Sequence, residues 1–91
     1  MKTLFHHNQP YGTVEIEVHS VEPVTANHDS PDYIKSRAKK GWVHIDGTVL
    51  KGSERSRIFH YTSDRDLTGR RYSLELPLED FERGHYTTVA M

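Results

Sequence analysis

Cysteine is absent from this chain, which removes the disulfide framework, the thiolate nucleophile and every Cys-ligated zinc or iron–sulfur centre from consideration. A reducing, intracellular setting is the matching expectation. Long apolar runs are missing as well. The opening Met-Lys-Thr-Leu-Phe-His-His meets polar residues before a signal-peptide core can form, and no later stretch approaches a membrane span. We therefore expect a soluble, cytoplasmic protein with no membrane association. Gly41, Gly47, Gly52, Gly69 and Gly84 compose neither a GxGxxG pattern nor a Walker loop. They read instead as a helix stop, a strand dimple and turns. No Asn-X-Ser/Thr acceptor occurs either.

What is present is an uneven charge distribution. Ten of the twelve Lys and Arg residues fall between Lys35 and Arg71 beside four acids, a local charge of +6. The flanks carry nine acids with only Lys2 and Arg83, a charge of −7, so a net charge of −1 conceals two opposed regions. Such asymmetry bears on partners and steering rather than on fold. The hydrophobic fraction is only 34 %, yet Val, Ile, Leu and the aromatics recur in regular groups, which argues for a folded chain rather than a disordered one. At 91 residues the chain reads as one small globular domain, residues 1–91, with few apolar side chains to spare from its core.

Residues 13–18 alternate strictly, with Val14, Ile16 and Val18 on one face and Thr13, Glu15 and Glu17 on the other, the period of a half-buried strand. Leu4 to His7 is its expected partner across the turn chemistry of Asn8 to Gly12. After a loop at 22–29, Ser30-Pro31-Asp32 offers an N-cap, a helix-initiating proline and a first-turn acid. Lys39, Lys40 and Gly41 supply the opposite end, so a helix is predicted over about 31–40. Trp42 to Leu50 and Arg57 to Thr62 read as a hairpin around Lys51 to Arg55. With all five of those residues in the loop, Val49 faces Arg57, Gly47 faces Phe59 and Ile45 faces Tyr61. A four-residue loop would instead set Ile45 against His60 and Asp46 against Phe59; the first register is preferred. Residues 62–69 read as turn-rich. Tyr72, Leu74, Leu76 and Leu78 then make the strongest alternating face, ended by Pro77, and Leu78 to Arg83 offers a helical turn stopped at Gly84 before a last strand at 86–90. The expected fold is α+β and predominantly β: a small antiparallel sheet or partly open barrel of five to six strands with one short helix. Tyr72, Leu74 and Leu76 are expected to form its core with Ile16, Val18, Ile45 and Phe59.

Seven histidines raise the question of a metal, but no pair has zincin spacing and His6-His7 point to opposite faces if extended, so no metal and no cofactor are expected. In the preferred register Asp46 lies opposite His60 with His44 and Trp42 on the same face, an arrangement suited to an acid–base pair. No nucleophile or oxyanion donor accompanies it, and a cross-strand polar pair is the plainer reading. The acids at Glu15/Glu17 and Glu79/Asp80/Glu82 read as solvated faces. No catalytic residue is assigned.

The basic middle is the candidate binding region: Tyr33, Lys35, Arg37, Lys39, Lys40, Trp42, Arg55, Arg57, Arg70 and Arg71. Convergent cations with aromatic platforms suit single-stranded nucleic acid. Against this, a sequence pI of about 6.6 and the lack of RRM, KH or zinc-finger motifs fall short of a dedicated binder. The leading expectation is a non-enzymatic macromolecular interaction protein with a protein partner. Inhibitor or modulator of a host or partner complex is the expected role, as in a phage or bacterial accessory protein. A small β-rich nucleic-acid-binding protein using segment 35–71 is the alternative, and a histidine-based enzyme or metal protein a distant third.

Overall fold

The computed structural model describes residues 2–58 and 61–89, with side chains given for all of these except 54–58 and 61–64. Its elements run β1 (Lys2–Gln9), β2 (Gly12–Pro23), α1 (Asp32–Lys39), β3 (Trp42–Ile58), β4 (Tyr61–Asp66), β5 (Arg71–Pro77), α2 (Leu78–Arg83) and β6 (His85–Val89). The six strands form one sheet ordered β4-β3-β2-β1-β6, with β5 also paired to β3. The predominantly β, α+β expectation holds in this form: a mixed sheet, not closed into a barrel, with two short helices.

The alternating segments became the strands their periodicity requires. Val14, Ile16 and Val18 of β2 are buried with Leu4, Val43, Ile45, Val49, Leu67 and Leu76, and Tyr72, Leu74, Phe81 and Tyr86 pack against that cluster. β1 pairs antiparallel with β2, from Lys2 opposite Val18 to Asn8 opposite Gly12. The expected final strand is β6, but it pairs parallel to β1, so the sheet is not purely antiparallel. This follows from α2, which carries the chain from β5 to the far edge of the sheet. Left-handed Gly84 (φ 81°) terminates that helix, as read from the sequence, so there are two helices rather than one. α1 spans 32–39 rather than 31–40. Ser30 is not its cap: Pro31 holds the N-cap position and no side chain bonds there, because the Ser30 hydroxyl is engaged with Asn27.

The predicted 51–55 loop does not exist. β3 runs unbroken for 17 residues, and the chain reverses between Ile58 and Tyr61. Lys51 pairs with Glu15 and Gly52 with Val14, so Gly52 serves close strand contact: a Cβ there would stand 2.7 Å from the Thr13 carbonyl oxygen. Turn and contact glycines look alike in sequence. Both registers weighed for the hairpin are therefore replaced, with Ile45 opposite Leu74, Asp46 opposite Ser73 and Gly47 opposite Tyr72. Residues 62–66, read as part of a turn-rich stretch, belong to β4. Phe59 and His60, on which the expected core and acid–base pair partly rested, lie outside the described residues, as does the Ala90 end of the last strand.

β4 and β5 follow the same edge of β3, joined by an excursion at 67–70 that stays bonded to it. Leu67 N–H donates to the Gly52 carbonyl, Gly69 N–H to that of Val49, and Val49 N–H to that of Arg70. Asp66 accepts from the Thr68 amide at 3.0 Å and its hydroxyl at 2.7 Å, and these bonds hold its carboxyl below its ordinary pKa. Beyond Gly52, β3 has no β2 partner, and residues 53–58 and 61–66 form a two-stranded ribbon.

The sheet curls enough for His6 on β1 to meet β5 across its concave face. His6 is 6 % exposed and stacks on Tyr86 at 5.5 Å. Its Nδ1 lies 2.7 Å from the Tyr72 hydroxyl and its Nε2 2.9 Å from Thr88 Oγ1. Thr88 donates to Asn8 Oδ1, so its oxygen accepts from His6 Nε2–H. Burial, then the nearby His7, lowers the His6 pKa from 6.5 and so favours the neutral ring. Between 6.5 and that lower value the unfolded chain binds more protons than the native one. Stability is therefore complete above the unfolded pKa and falls as pH drops below it. Urea unfolding in EDTA from about pH 7.5 to about pH 5.5 should show a falling midpoint in wild type and a flatter profile in His6→Gln; parallel profiles would refute the assignment.

Candidate interaction surface

α1 docks at the start of β3 through one side chain, Arg37. Its guanidinium lies 5.2 Å from the Tyr33 ring and 4.8 Å from the Trp42 ring, while its Nη1 donates to Glu75 Oε1 at 2.7 Å. The helix buries no residue fully, so this cation–π and ion-pair junction, with half-buried Ile34 and Ala38, is what fastens it. The other Glu75 oxygen lies 3.9 Å from His44 Nδ1.

One ladder step on, Arg71 clasps Asp46 with Nη2 at 2.6 Å from Oδ2 and Nε at 3.0 Å from Oδ1, and the Ser73 hydroxyl donates to Oδ1 at 3.0 Å. The Arg71 hydrogen bonds, aided by Ser73 and opposed by desolvation, lower the Asp46 pKa to about 2. The pair thus stays ionised through the neutral range. On β2, His19 Nε2 contacts Thr48 Oγ1 at 2.9 Å. Strand parity places these groups together: Trp42, His44, Asp46 and Thr48 alternate along β3, opposite Pro77, Glu75, Ser73 and Arg71 of β5.

Of the sequence-selected residues, the structure gathers Tyr33, Arg37 and Trp42 into one cluster and sets Arg71 on the adjoining strand pair. Lys35 instead ties down the preceding loop, donating to the His28 carbonyl at 2.9 Å. Lys39, Lys40 and Arg70 are exposed. Arg55 and Arg57 stand opposite Asp64 and Thr62 in the ribbon, where side chains are not described. Asp46 is held by Arg71 and Ser73; His60, weighed as its partner, lies outside the described residues. Sequence reasoning put His44 on one face with Trp42 and Asp46 but missed Glu75 as a member of it. The alternation Arg71-Ser73-Glu75 was visible, but only the β3–β5 pairing sets it against Trp42-His44-Asp46.

Among the described residues no group of three or more His, Cys, Asp or Glu side chains is placed to hold a metal ion, and no helix is long and apolar enough to cross a membrane. Compared with protein-family models, curated proteins and solved structures, the chain matches none.

Proposed function

We propose that the protein is a non-enzymatic interaction protein of the cytoplasm that engages another protein, as an inhibitor or modulator of its complex, through the face bearing Tyr33, Arg37, Trp42, Asp46 and Arg71. The observation that carries this reading is that Arg37 and Arg71 each have a carboxylate partner on the same face. A surface built for phosphates leaves its guanidinium groups open to them. A mixed-sign surface holding Trp, Tyr and Arg, with Tyr33 60 % exposed, instead has the composition of protein-binding hot spots. The nucleic-acid reading of segment 35–71 is the alternative. It is favoured by exposed Lys39, Lys40 and Arg70 and by the projecting ribbon that carries Arg55 and Arg57, since a two-stranded ribbon fits a major groove.

Affinity capture from lysate with and without nuclease separates the two. The protein reading expects one partner retained after nuclease, lost with Tyr33→Ala/Trp42→Ala and kept with Lys39→Glu. Loss of every partner on nuclease treatment refutes it.

A further inference from the structure

We propose that His7 and His85 form a two-imidazole site for a borderline divalent transition-metal ion, Zn2+ or Cu2+, on the outer face of β1 and β6. The two residues are far apart in sequence and meet only because β6 lies parallel to β1. That register sets Phe5 opposite His85 and His7 opposite Thr87, so His7 and His85 become diagonal neighbours. His7 Nε2 and His85 Nδ1 are 3.1 Å apart, with ring planes inclined by 7°. Two nitrogens sharing one ion at about 2.0–2.1 Å stand roughly 2.9 to 3.4 Å apart, from right-angle to tetrahedral geometry. The existing gap falls inside that range. The ion would sit roughly 1.3 Å off the line joining the nitrogens, which asks for a small swing of the rings within their common plane.

The surroundings prepare His7 for this role. Its Nδ1 lies 3.0 Å from Thr13 Oγ1; with Thr13 accepting Nδ1–H, the lone pair is fixed on Nε2, facing His85, as an outer partner commonly does for a metal-ligating histidine. Phe5 lies parallel to both imidazoles, with centroids 5.2 Å from His85 and 6.4 Å from His7, and restricts their rotation. Metal entry needs no net proton loss from neutral rings. The hydrogen that His85 Nδ1 shares with His7 moves to His85 Nε2, and the ion takes its place. His85 is exposed, so water completes the coordination and the site is open rather than closed. Glu15 and Lys51, paired across β2 and β3 nearby, add no net charge. His6, on the opposite face, takes no part. The sequence reading expected no metal because neither histidine has a partner at ligand spacing.

The test is calorimetric titration of tag-free protein with zinc sulfate at about pH 7.5, above the ordinary histidine pKa. One ion per chain is expected. His7→Gln and His85→Asn keep a polar atom near each ligating nitrogen and should each weaken binding at least about tenfold, Thr13→Val should weaken it less, and His28→Ala should leave it unchanged. A readout on wild type alone guards against variants that fail to fold: substoichiometric Cu2+ should broaden the backbone NMR signals of residues 5–7 and 85–87 first. Unchanged zinc affinity in folded His7→Gln or His85→Asn, or broadening centred on His19, His28 or His44, overturns the proposal.

Discussion

Gly47→Ala should destabilise the protein by about 3 kcal/mol, the upper part of the range for forcing atoms into a packed interior. Gly47 sits in the middle of the sheet, opposite Val18 of β2 and Tyr72 of β5. A Cβ there would stand 2.2 Å from the Glu17 carbonyl oxygen and 2.9 Å from Ile16 Cγ2. The closest of these atoms is backbone, so rotamer changes give no relief; β2 and β3 must separate beside their register shift at Val18/Ser20. Gly41 is the control. It has φ +78° and open space around it, so Gly41→Ala meets only the left-handed backbone cost of roughly 1 kcal/mol. Urea unfolding of both variants decides the matter, and equal losses would show that the strands do not approach as described.

Leu76→Ala is the second large effect, with an expected loss of about 2 to 5 kcal/mol, against a total stability that for a small domain is of order 5 to 15 kcal/mol. Leu76 is 0 % exposed near the C-terminal end of β5 and belongs to the buried cluster with Val43, its direct cross-strand partner. Leu74 shares the inner face but is only partly buried, so truncation there leaves a site more open to solvent and costs less. From the alternation alone, Leu74 and Leu76 are both core residues of the same face. Thermal melts of the two alanine variants should order them wild type, Leu74→Ala, Leu76→Ala, and the reverse order would contradict the packing.

What the sequence made legible was governed by local pattern. The three β-branched residues Val14, Ile16 and Val18 could bury together only in a strand, and Leu76 and Tyr72 announced β5 in the same way. Gly84 stopped α2 where its left-handed conformation is needed. What stayed hidden depended on partners distant in the chain. Gly52 resembles a turn residue until β2 is placed against it, and the stretch 62–66 has turn composition although its backbone pairs with β3. β6 joins β1 across nearly the whole chain, which no local signal encodes. The candidate site shows the same division. Its cations and aromatics stood out by composition, whereas the acid that receives Arg37 is Glu75, a residue assigned to the acidic flank. Arg37 on α1 meets that flank acid, while Asp46, from the basic middle itself, meets Arg71 on β5, so cations and carboxylates interleave on one face.

That interleaving is the central claim, and titration of the purified protein into fluorescently labelled single-stranded DNA and RNA of mixed sequence, followed by anisotropy across a salt series, tests it most directly. With Arg37 and Arg71 held by carboxylates, binding at physiological salt should be absent or no tighter than the weak non-specific level, a Kd of about 10⁻⁴ to 10⁻⁶ M. Tight binding there, falling log-linearly with salt and abolished by Lys39→Glu/Arg70→Glu at exposed positions that leave both ion pairs intact, would contradict the account.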